Sequence, residues 1–444
     1  MFSKILFKIQ DKLEYFYNNS LFLQNIDAFI LLSIIAVFVS STFLLSDYIG
    51  FIALVTMFLT FVKLLTKRGE KFSFNLFEIF LMAYFMLVVV SLAGSTLFAL
   101  SLKGFLKTFI YIGFYFSVAH YLKHNLSKIP WIILTIALCM SFESIVAVLQ
   151  NFAHVEAIST WQDTTGYNPE EIMTRVYGTL KPFNPNLLGG YFVSGISSLF
   201  GLCAYFIFDK KFKRACVALI FSLVAIFALF ATGCRGAYLA LLLNLFCVFV
   251  ISAKFFWQRY KKIYMSMIGA AVALFTFAMA CITSLRLRFL SIFAMRNDSS
   301  NSFRFNVYQS SLDMFKDNWL LGIGVGNRNF REIYGLYMKT GFDALSAYNI
   351  FLEIAVESGI FALVAFLSFL FVLVKDAIKV ILDSIDYENV IFTSVALISV
   401  LTVMFHGFVD TVFFRPQIQF VFWTMVAIIS AYSNSSAKSD CFGC

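Results

Sequence analysis

Arg175, Arg235, Arg286, Arg288, Arg296, Arg304 and Arg415 fall at the ends of apolar runs or in two long polar segments, 151–186 and 286–348. Lysine fills the alternate, shorter gaps. Arginine carries a fixed charge on a planar fork that grips phosphate in bidentate fashion. The chemistry this points to is anion capture, and several guanidiniums together would make a basin for a diphosphate. Asn184, Asn186, His406 and Asp410 lie at the same ends of the same runs.

Arg235 is the sharpest case. It opens Arg235-Gly236-Ala237-Tyr238-Leu239-Ala240 directly after an apolar run. A charge at that depth is costly unless it is paired or faces water. Either it snorkels to the interface or it binds an anion, with Gly236 and Ala237 leaving room beside it. The loop arginines taken singly read as solvated charges, and taken together as the basin.

Other chemistry finds less support. No histidine–carboxylate cluster on the arginine side has zinc-site spacing, so no metal and no cofactor is expected. Cys441 and Cys444 form a CxxC with no second pair nearby. Leu321-Gly322-Ile323-Gly324-Val325-Gly326-Asn327 looks like a dinucleotide loop, but no βαβ pattern surrounds it, and a tight glycine turn is expected.

The elements that must position these residues are membrane helices. The chain of 444 residues is 60% hydrophobic and only 13% charged, whereas soluble domains are about a quarter charged. Runs near 26–45, 48–65, 74–94, 104–122, 131–150, 187–208, 214–231, 235–253, 263–285, 349–374, 389–408 and 417–433 suit the roughly 20 residues a span requires. The expected fold is an all-α polytopic membrane protein of about twelve spans. Residues 1–25 are an amphipathic N-terminus without the apolar core of a cleavable signal, 26–433 the membrane domain, and 434–444 a tail.

The net charge of +9 sits in short lysine clusters between spans, which argues for membrane orientation rather than nucleic acid. Those clusters place both termini in the cytoplasm and the two long segments outside. Phe303, Val307, Tyr308, Ser311, Leu312 and Phe315 line one face of an amphipathic helix that lies on the membrane or caps the bundle. Glu143 lies deep in a span without an evident partner.

Three stretches together resemble the O-antigen ligase and O-antigen polymerase superfamily of bacterial membrane proteins. They are Thr232-Gly233-Cys234-Arg235-Gly236-Ala237; Phe303-Arg304 with Met314-Phe315-Lys316-Asp317-Asn318-Trp319-Leu320-Leu321-Gly322-Ile323-Gly324; and Tyr348-Asn349-Ile350-Phe351-Leu352-Glu353 through Gly359. Arg175-Val176-Tyr177-Gly178, Asn184-Pro185-Asn186 and His406 through Gln417 are most similar to the branch labelled as bicarbonate transporters. The resemblance spans roughly 170–430.

It implies an inverting glycosyl transfer outside the bacterial cytoplasmic membrane, without metal. The donor would be a glycan on polyprenyl diphosphate, and the acceptor a hydroxyl of a glycolipid or another lipid-linked glycan. Arg235 and Arg304, with Arg288 and Arg175, would hold the diphosphate. Asn349, Glu353, Asp410, Arg415 and Asn186 would support them. Where the ligases carry histidine before the asparagine, this chain has Tyr348. Tyrosine, with an ordinary pKa near 10, is a poor base but can orient a hydroxyl, and His406 is the other candidate for acting on the acceptor. Transport of a small anion such as bicarbonate is the alternative.

Overall fold

A computed structural model of the protein describes residues 2–69, 71–153, 175–293 and 299–441. Arg296 and most of segment 151–186 lie outside them. Among the described residues there is no strand. The helices are α1 (Phe2–Asn19), α2 (Leu21–Gln24), α3 (Ile26–Ser41), α4 (Ser46–Thr66), α5 (Leu76–Gly94), α6 (Phe98–His124), α7 (Ile129–Phe152), α8 (Pro185–Phe208), α9 (Phe212–Ala231), α10 (Arg235–Cys281), α11 (Thr283–Leu290), α12 (Ser299–Asp317), α13 (Asn327–Tyr334), α14 (Ile350–Asp383), α15 (Tyr387–His406) and α16 (Pro416–Cys441).

Among the described residues, nine helical segments are long and apolar enough to cross a membrane. The other three expected spans coincide with α3, α6 and α16. The protein is therefore an all-α, multi-pass membrane protein. Phe51, Phe58, Leu274, Phe277 and Phe371 point outward with more than half their surface bare, as lipid-facing side chains do. Inside, α15 and the apolar part of α16 are buried on almost every side.

Two helices are interrupted. Tyr260 leaves helical geometry within α10 (φ −127°, ψ 29°). Tyr264 then stacks edge-on to Phe249 at 6.1 Å. Fifteen residues of straight helix would separate those rings by about 22 Å at 1.5 Å per residue, so the chain reverses there and forms the two spans expected. The second break corrects the reading of 349–374 as one continuous span: Gly359 (φ 81°, ψ 175°) interrupts α14.

A helix break in an apolar interior strands backbone groups that lipid cannot satisfy. Here the glycine-rich turn supplies the partners. Ile323 N–H donates to Val356 O at 3.0 Å and Gly324 N–H to Glu357 O at 2.9 Å, while Ile360 N–H donates to Trp319 O at 2.9 Å. Glu357 Oε1 accepts from Gly326 N–H at 2.8 Å. The turn is the tight glycine turn expected, and its plugging of α14 is a role the sequence reading did not include.

The 299–348 segment folds over one end of the bundle. Its small core joins Val307 and Met314 of α12 to Ile323, Phe330, Tyr334, Ala344, Ala347 and Val356. The buried face of α12 is rotated from the expected one. Val307, Ser310, Ser311 and Met314 face inward, whereas Leu312 is 46% exposed; three- and four-residue spacing keeps the inward set on one stripe. Glu143 also finds its role: its carboxylate accepts from Thr179 N–H at 3.0 Å and from the Thr179 hydroxyl, anchoring the stretch that carries Arg175.

A Cβ at position 359 would lie 2.2 Å from Leu320 O, and the backbone there has a positive φ. Gly359→Ala should cost at least about 1–3 kcal/mol and lower the thermal midpoint in detergent. Gly269→Ala, where a Cβ meets nothing within 4 Å, should not; equal midpoints for both variants would contradict the plugged-break description.

Candidate functional site: an arginine cleft

The site begins where α9 runs out. Thr232-Gly233-Cys234 turns the chain into α10, and the end of a helix leaves carbonyls without partners and a partial negative charge. Arginines from other segments take them up. Arg175 Nε donates to Thr232 O at 2.8 Å and its Nη2 to Asn186 Oδ1 at 2.5 Å. Arg288 Nε donates to Gly233 O at 3.1 Å. Arg235, buried at 8% exposure, donates from Nη1 to Ser291 Oγ at 3.0 Å.

Arg175, Asn186, Arg235, Arg288, Arg304 and Asp410 line a single cleft of about 330 Å³, with Cys234 and Gly236. The cleft lies at the opposite end of the helices from the lysine-rich turns, where Lys254 reaches the end of α14 and Lys123 pairs with Glu78 at 3.0 Å. Arg235 accordingly takes a hydrogen-bonded place on the cleft wall. Burial first, and then the neighbouring charge of Arg288, push Arg175 down to about 10, so it stays charged at neutral pH.

Gly236 makes room for something the sequence did not suggest. A Cβ there would lie 3.0 Å from His406 Cδ2. His406 Nε2 approaches Cys234 Sγ to 3.7 Å, and the ligating atoms of Cys234, His406 and Asp410 all lie within 4.8 Å of one another. This corrects the expectation that no histidine–carboxylate cluster forms on this side. His406 and Asp410 are four residues apart in sequence, a visible hint; Cys234 is 172 residues from His406 and joins only through the fold. Burial pushes the Cys234 thiol up, but the hydrogen bond and charge of His406, aided by Arg175, carry it net below its usual range. Asp410 Oδ1 accepts from Thr411 N–H at 2.7 Å and Val412 N–H at 3.1 Å.

Other expected site residues stand off the cleft lining. Tyr348 has a left-handed backbone (φ 50°) and packs edge-on to Phe303 at 5.7 Å. Burial, then Asp410, raises its phenol, so it is a poorer base than free tyrosine. Asn349 caps α14 by accepting from Leu352 N–H at 3.0 Å and donates to Phe408 O at 3.1 Å. Glu353, expected to support the arginines, accepts from Ala347 N–H at 3.3 Å. Arg415 is exposed, and Arg286 donates to Ala280 O at 3.2 Å; neither lines the cleft.

Fold and site together define a multi-pass membrane protein with an arginine-lined cleft at one end of its helices. Residues 217–367 match the family model described as O-Antigen ligase. That match supports the resemblance to the O-antigen ligase and polymerase superfamily. The match holds Arg235, Arg288, Arg304 and Tyr348, while Arg175, Asn186, His406 and Asp410 come from outside it. No curated protein matches the chain.

Inorganic pyrophosphate should bind the purified protein with measurable affinity at neutral pH. It should weaken as Arg175 loses its proton above about 10. Arg304→Ala should weaken binding at neutral pH roughly tenfold or more, the worth of a charged hydrogen bond. Calorimetry at several pH values checks both, and binding indifferent to Arg304 would remove it from the anion site.

Proposed function

We propose that the protein transfers a glycan from polyprenyl diphosphate to an acceptor hydroxyl at the outer face of the bacterial cytoplasmic membrane, with both termini inside. The observation that carries this is the convergence of four arginines, from four separate stretches of chain, on one cleft beside the O-antigen ligase motif. A diphosphate carries charge to match. Its glycan would reach toward the folded 299–348 segment and its lipid tail would stay in the membrane.

In the reaction the acceptor oxygen attacks the anomeric carbon from the face opposite the diphosphate, inverting it. The bond from that carbon to the diphosphate oxygen breaks, the electron pair leaves with polyprenyl diphosphate, and the hydroxyl proton ends on the released diphosphate. Charge grows on the leaving oxygen, and preorganised guanidiniums at a water-poor boundary stabilise it most when it is largest. Arg235 and Arg304 serve this directly; Arg175, braced by Asn186, and Arg288 complete the basin. Tyr348 orients the acceptor rather than deprotonating it.

Anion transport is the second reading, favoured by the interrupted α14 with its buried Glu353 and Glu357. Against it, the glycine-rich turn already satisfies the break, and the arginines gather at the helix ends rather than at mid-membrane, where transporter sites lie.

The purified protein in detergent, given a polyprenyl-diphosphate-linked glycan and the host's glycolipids, should transfer the glycan. Arg235→Ala and Arg304→Ala should each lose at least about a hundredfold in turnover, while Tyr348→Phe should lose less. Full activity in either arginine variant would remove the diphosphate assignment. Absence of transfer with cognate donor and acceptor present would turn attention to bicarbonate flux in proteoliposomes.

A further inference from the structure

We infer that Cys234, His406 and Asp410 form a binding site for one zinc-like divalent ion at the edge of the arginine cleft. Three observations meet here. The donor set is one sulfur, one imidazole nitrogen and one carboxylate, which suits zinc rather than magnesium or calcium. All three side chains are 4% exposed and their ligating atoms lie within 4.8 Å of one another. The third is spacing. Tetrahedral zinc with Zn–S of about 2.3 Å and Zn–N of about 2.0–2.1 Å sets sulfur and nitrogen roughly 3.5 Å apart, and Cys234 Sγ stands 3.7 Å from His406 Nε2.

The surrounding arginines do not forbid a cation. Thiolate, carboxylate and neutral imidazole around Zn²⁺ make a centre of zero net charge, because a coordinated thiol gives up its proton. Cys234 and Asp410 both line the cleft, so the fourth position, left to water or a phosphate oxygen, borders it. The ligands come from the start of α10, the end of α15 and the turn that follows. The ion would therefore join two elements that the backbone does not join, directly beside Arg235.

Cobalt reports this site without any donor or acceptor, so its outcome is separate from that of glycosyl transfer. The full chain carrying C441S and C444S, to remove the terminal cysteine pair, would be stripped with chelator and titrated with Co²⁺. A thiolate-to-cobalt charge-transfer band should saturate at one ion per chain and vanish on adding Zn²⁺. Adding C234S should abolish the band, and H406Q or D410N should weaken cobalt binding by at least about tenfold, as loss of even a supporting group does. No band, or a band that survives C234S, would overturn the assignment. Should C234S fail to stay monodisperse, H406Q and D410N decide: unchanged affinity in both overturns it equally.

Discussion

A membrane protein must satisfy its backbone from within, and the cleft follows from that constraint. Where α9 ends, the carbonyls of the turn that follows lie beside the cleft. Arg175 takes Thr232 O and Arg288 takes Gly233 O. The helix end thereby gains donors, and the guanidiniums gain partners that leave part of each fork pointing into the cleft. Neither half would be stable alone, since an unpaired carbonyl and an unpaired cation are both costly at this depth. The same logic governs α14, where the 322–326 turn donates to the carbonyls released at Gly359.

Much of this was legible in the sequence because it follows from local composition. Apolar runs of span length meet helices throughout, and arginine against lysine marked the two ends of the bundle. Residue type and position grouped seven arginines, the resemblance narrowed the set to Arg175, Arg235, Arg288 and Arg304, and the fold puts those four in one cleft. What was not legible depends on the approach of distant segments. Cys234 entered the sequence reading only as part of the Thr232–Ala237 motif, and its approach to His406 comes from the meeting of the ends of α9 and α15. Glu143 looked like a stray charge and Glu353 like a support for the arginines, yet each accepts a hydrogen bond from the backbone of a loop it holds. The face of α12 was rotated because its partner is the local core around Phe330 and Tyr334, whose position no periodicity in α12 encodes.

The broken α14 shows the same limit from another side. Glycine within an apolar run is tolerated in a helix at modest cost, so Gly359 carried no compelling signal. Its conformation is required by what packs on it: Leu320 O lies where a Cβ would be. The break and the glycine-rich turn are one structure written in two places. Each looks ordinary when read separately.

Four guanidiniums in one cleft also set a balance of opposing terms. Burial and Arg288 both act against the charge on Arg175, and bonds to Thr232 O and Asn186 offset only part of that. Asp410 is the carboxylate among the lining residues, and its Oδ1 already accepts two backbone N–H groups. Among its described lining residues the cleft therefore carries more positive than negative charge. Such a field draws an anion toward it. For the lipid-borne diphosphate proposed above, the tail would hold the charged group at the depth of the arginines.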